Sequence, residues 1–82
     1  MTPQPDRTID CRGLLCPLPV LKTRKALREM QSGAVLEVRA TDPASSIDMR
    51  AYAWSSGNEL LDETEEDRVF VFLFRKGAAE GR

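Results

Sequence analysis

Hydrophobic and polar residues first alternate at Thr8-Ile9-Asp10-Cys11, which puts Ile9 and Cys11 on one face and predicts an opening β-strand. From Pro17 to Gln31 the period lengthens to that of a helix. Val20, Thr23, Leu27 and Met30 share one face, with Arg24, Lys25 and Arg28 opposite. Pro17 stands where a first-turn proline belongs, and Gly33 where a capping glycine is expected. Leu18 and Leu21 fall on the outward, basic side, a departure from clean amphipathicity. Val35 to Ala40 alternates again, with Leu36, Val38 and Ala40 on one side and Glu37 and Arg39 on the other.

Asp42-Pro43 marks a turn or a helix start, and the helix beyond it has two readings. A single helix from Pro43 turns Ile47, Ala51 and Trp54 inward. A break, with Asp48 capping a later helix, turns Met49, Tyr52, Ala53 and Ser56 inward instead. Gly57 ends the helix in both. Leu60-Leu61, between Glu59 and Asp62, predicts a short third strand, and the acidic stretch from Glu63 to Asp67 a turn. Arg68 to Arg75 is the strongest strand pattern. Phe70, Phe72 and Phe74 point one way and Val69, Val71 and Leu73 the other, the mark of a strand inside a sheet.

The order β-α-β-α-β-β predicts an α+β fold, a two-layer α/β sandwich. With right-handed crossovers, both helices cover one face of a four-stranded mixed sheet. Residues 7–76 form a single domain in this reading, between polar tails at 1–6 and 77–82.

A chain of 82 residues cannot hold both a core and a large enclosed pocket, so its chemistry belongs at the surface. Twelve basic against thirteen acidic residues leave a net charge of −1, without the basic excess of a nucleic-acid binder. No apolar run reaches the ~20 residues of a membrane span. The N-terminal residues lack the apolar stretch of a signal peptide, so the expected compartment is the cytoplasm, where thiols stay reduced. Two cysteines are too few for a disulfide framework, and their spacing is not that of zinc ligands. The absence of histidine excludes a Ser-His or Cys-His dyad. Neither a metal nor a cofactor is expected.

The run from Asp10 to Pro19 carries the chemistry. It places Cys16 at the N-cap of the first helix, where unpaired N–H groups and the macrodipole favour a thiolate. Proline at 17 and 19 removes two donors, stiffens the helix start and leaves the N–H groups of Leu18 and Val20 to face the sulfur. Gly13 allows the preceding loop to turn sharply. Ser, Thr, Asp and Asn all cap better than cysteine, so a cysteine there points to function. Cys11, on the inward strand face with Ile9, reads as core.

The segment from Asp10 to Pro19, followed by Val20-Leu21-Lys22 and later by Asp42-Pro43 and Asp48, resembles the TusA (SirA-like) family of sulfur carriers. The hallmark is Cys-Pro-x-Pro after an Arg/Val-Gly-Leu loop, matched from Arg12 to Pro19, and the resemblance spans residues 8 to 76. It implies the same β-α-β-α-β-β fold and a persulfide on Cys16, supported by Arg12, Gly13, Pro17 and Pro19. It further implies a cysteine desulfurase or rhodanese-like donor and a downstream acceptor protein, serving tRNA thiolation, cofactor synthesis or sulfur oxidation. Many members carry a small non-cysteine residue where Cys11 stands. Relatives often have Ile-Pro after the second aspartate, where this chain has Met49-Arg50; this favours Asp48 as a cap and leaves the longer helix open.

Leu18 and Leu21 beside Arg24, Lys25 and Arg28 offer a transient docking surface next to the sulfur; the alternative is a solvated helix face. Neither direct nucleic-acid nor membrane contact is expected. Two other functions compete: a thiol-disulfide protein using Cys11 and Cys16, and a non-catalytic regulatory or RNA-binding module.

Overall fold

The computed structural model describes residues 3–78. Strand β1 (Arg7–Cys11) is followed by helix α1 (Leu18–Arg28), strand β2 (Val35–Ala40), helix α2 (Ser45–Ser56), and strands β3 (Glu59–Glu66) and β4 (Val69–Arg75). The sheet order is β1-β2-β4-β3. β1 runs parallel to β2, with Cys11 opposite Ala40, and β4 is antiparallel to both its neighbours. The predicted mixed sheet and β-α-β-α-β-β order are those observed, and β4, apolar on both faces, lies inside the sheet.

One face of the sheet makes the core. Cys11, Leu36, Val38, Ala40, Phe72 and Phe74, each the inward member of its alternation, meet Ala26 and Leu27 of α1 and Met49 of α2. Both helices therefore cover the same side. Tyr52 packs edge-on against Phe74 with ring centroids 5.9 Å apart, and its hydroxyl accepts the Asn58 side-chain amide at 2.9 Å.

Three element boundaries differ from the sequence expectation. α1 ends at Arg28, short of Gln31, and Gly33 does not cap it. The Nζ of Lys76 supplies the missing donor, reaching the carbonyls of Met30 at 2.7 Å and Arg28 at 3.4 Å. A side chain 46 residues distant is invisible to local pattern. In the second helical region each reading is half right. α2 is one continuous helix, yet it buries Met49 and packs Tyr52 and Ala53 inward, leaving Ile47 72% and Trp54 90% exposed. Asp48 lies in its first turn and is not the cap. Gly57 ends the helix as expected, in the left-handed conformation at φ 82°.

The third difference is β3, which continues through the acidic stretch to Glu66. The turn is only Asp67-Arg68, with φ of 52° and 66°, the paired positive angles of a type I′ hairpin. A ladder to the apolar β4 overrides the weak strand preference of acidic residues. The tails expected at 1–6 and 77–82 fall partly outside the described residues. Within them, the Asp6 N–H donates to the Val35 carbonyl at 2.7 Å and the Gly77 N–H to the Asn58 side chain at 2.8 Å.

Candidate functional site

At the end of β1 the Cys11 side chain is fully buried, and the chain then leaves the sheet in a tight loop. Gly13 makes the turn at φ +80°, a backbone conformation costly to any residue with a Cβ. Its N–H donates to Thr41 Oγ1 at 2.9 Å, and the Leu14 N–H to the Cys11 carbonyl at 3.2 Å. Leu14 packs against the core, whereas Leu15 is 70% exposed. The loop thus brings Cys16 to the residues that follow β2.

There two aspartates receive it. Asp42 Oδ2 accepts the Cys16 N–H at 2.7 Å, while its Oδ1 accepts the Ala44 N–H at 3.1 Å just before α2. These two backbone donors hold the Asp42 carboxyl below its usual range. The exposed Cys16 thiol donates to Asp48 Oδ2 at 2.6 Å. That hydrogen bond, followed by desolvation and the negative charges of Asp48 and Asp42, pushes the Cys16 thiol above its ordinary value.

This reverses the expected depression. Pro17, not Cys16, is the N-cap residue of α1, so the sulfur stands outside the position that was to stabilise its anion. The Leu18 N–H, expected to face the sulfur, donates to the Leu15 carbonyl at 2.9 Å. A carboxylate at hydrogen-bond distance, with the Leu18 N–H turned elsewhere, favours the protonated thiol.

Each of the other expected residues has a definite place. Pro19 is buried, and its carbonyl accepts the Thr23 hydroxyl at 2.8 Å. Pro17 is exposed, and the peptide bond joining it to Cys16 is cis. The Arg12 guanidinium forms two bonds of 2.9 Å to Asp10, holding that carboxyl down to about 2. It anchors the end of β1 and is not among the charges acting on the sulfur. Leu18 and Leu21 are 45% and 49% exposed, beside the exposed Arg24, Lys25 and Arg28. Leu21 and the three cations line one shallow hollow with Glu29.

A second hollow, absent from the sequence reading, opens on the sulfur itself. Cys16, Pro17 and Val20 line one side, and Asp48, Ala51, Tyr52, Trp54 and Ser55 of α2 the other. The pattern of α2 had offered Trp54 as core in one reading, which hid this rim. Asp42 and Asp48 stood out in the sequence, but as a turn and a cap, not as partners of Cys16. Cys11 is no partner to it: burial pushes its thiol up and shuts it from solvent, which weighs against the dithiol alternative.

The sequence model of the family described as Sulfurtransferase TusA matches residues 7–76. The sulfur carrier protein TusA of Allochromatium vinosum is 49% identical over 71 residues, covering 87% of this chain and 93% of that protein. YrkI of Bacillus subtilis is 42% identical over 72 residues, covering 88% and 96%. The crystal structure of a SirA-like protein from Desulfitobacterium hafniense superposes with a TM-score of 0.78 at 30% identity, covering 87% of this chain and 97% of that one.

Proposed function

The chain belongs to the TusA sulfurtransferase family, and on that premise we propose that it carries sulfur as a persulfide on Cys16 between a donor and an acceptor protein. The observation that carries this reading is the contrast between its two thiols. Cys16 is exposed in a fixed setting, while Cys11 is sealed in the core. In loading, Cys16 Sγ attacks the terminal sulfur of a donor persulfide. The donor's S–S bond breaks, a new one forms on Cys16, and the Cys16 proton ends on the departing donor thiolate.

The remaining motif residues hold the geometry. Gly13 turns the loop, Pro17 and Pro19 fix the start of α1, and Arg12 ties down the end of β1 through Asp10. A cysteine desulfurase or rhodanese-like protein suits the donor role. The cytoplasm, where thiols are kept reduced, suits such a carrier. The exposed leucines and cations of α1 are the surface on which partners would rest.

Incubation with a cysteine desulfurase and cysteine, followed by intact mass, tests the reading. The expected result is a gain of one sulfur atom, abolished by Cys16→Ser and retained in Cys11→Ala. The latter should cost about 1 kcal/mol of stability through a small core cavity. Loss of two protons in place of a sulfur gain would revive the dithiol mechanism, and an unchanged mass would remove the carrier function.

A further inference from the structure

The empty form of Cys16 is attracted to the same neighbour that the loaded form would repel. In the empty form the thiol donates its proton to Asp48 Oδ2 at 2.6 Å. A persulfide is a stronger acid than its parent thiol, so the loaded group at neutral pH is an anion without a proton to donate. A carboxylate that holds the thiol must repel that anion.

The surroundings offer little relief. Asp42, fixed by the N–H groups of Cys16 and Ala44, adds a second negative charge from the loop before α2. The first turn of α1, Leu18 to Leu21, carries no charge. In the motif loop the Arg12 guanidinium is taken by Asp10. The charges acting on the sulfur are those of Asp48 and Asp42, and the thiol is accordingly pushed up.

We propose that Asp48 sets the sulfur affinity of Cys16: its carboxylate stabilises the empty thiol and destabilises the loaded persulfide, biasing bound sulfur outward to an acceptor. This rests on the carrier reading above. At neutral pH the exchange is Cys16–SH + R–S–S⁻ ⇌ Cys16–S–S⁻ + R–SH. One S–S bond breaks and one forms, the sulfane sulfur moves with no outside oxidant, and the proton that leaves Cys16 ends on R–S. Asp48 acts on the position of this equilibrium by favouring its left side.

Wild type and Asp48→Asn, each as the full chain, are equilibrated at neutral pH with known ratios of glutathione persulfide to glutathione. Intact mass then gives the loaded fraction. The variant should show a loading constant higher by about tenfold, the scale of one pKa unit. The difference between the two proteins should shrink as pH falls and the loaded persulfide takes up a proton. A second readout is alkylation rate against pH, in which the empty thiol of Asp48→Asn should titrate below that of wild type. Asp48→Ser, checked with it for native circular dichroism, guards against a folding defect peculiar to one variant. Equal loading constants in proteins that do load would overturn this proposal alone. A wild type that takes up no sulfur while its Cys16 still alkylates would overturn the carrier reading and this one together.

Discussion

Asp42 works through two hydrogen bonds that are both to backbone, one from the motif loop and one from the start of α2. A carboxylate so placed is a clasp whose grip depends on its charge. Its pKa is lowered in the folded protein, so its stabilisation is complete above the unfolded value near 3.9 and is lost as pH falls through the lower folded value. Asp10, held by Arg12 to about 2, adds to the same acid-side loss. Melting curves at pH 7 and pH 3 should show Asp42→Asn less stable than wild type at pH 7 and closer to it at pH 3. Parallel losses in both proteins would mean that the clasp does not depend on charge. At this scale the sequence pointed to Cys16 because cysteine is an odd choice beside a helix start, and the structure places it exposed just before the Pro17 N-cap. Its acidity was not. Helix-terminus reasoning uses groups adjacent in sequence, and the carboxylate that governs this thiol lies 32 residues away.

At the level of elements, α1 shows two apolar side chains and three cations on the face it turns from the core. Helix packing has no use for Leu21 there, so its exposure favours a partner. Basic charges at the rim speed encounter with an acidic surface and add little to residence time. Lys25→Glu with Arg28→Glu should slow sulfur acceptance from a purified desulfurase through the association rate, more at low salt than at high. Leu21→Ala should weaken acceptance at every salt concentration. Wild-type rates in all three substitutions would leave the face merely solvated. The alternation in β1, β2 and β4 and the inward face of α1 were readable because each pattern had one period and one partner layer. α2 was ambiguous because small and apolar residues lie on both its sides. With Trp54 and Ile47 available as core on one side and Met49 and Tyr52 on the other, only docking onto the Phe72 and Phe74 face decides. β3 was underestimated for a related reason: its acidic residues become a strand only when β4 provides the ladder.

Taken whole, the molecule rests on one thin core. Phe72 and Phe74 are its largest fully buried side chains, with both helices on one side and a helix-free sheet face on the other. Phe72→Ala should cost about 3–5 kcal/mol, a large part of the ~5–15 kcal/mol that holds a typical domain together. Urea denaturation would show it as a fall in midpoint at unchanged slope. A loss below about 1 kcal/mol would mean that the helices collapse into the void. The pairing of Asp6 with Val35, and of Lys76 with Ala34, has a consequence of its own. At Asp6 and at Lys76 the chain leaves the sheet where β2 begins, and Cys16 sits beyond the end where β2 stops. The length of β2, roughly 17 Å at the usual rise per residue, keeps them apart. A passenger domain joined on before Asp6 or after Lys76 would therefore attach at the end of β2 opposite Cys16. Such a domain, or a surface tether, should leave Cys16 open to a partner, so the same unit suits single or tandem architectures without redesign.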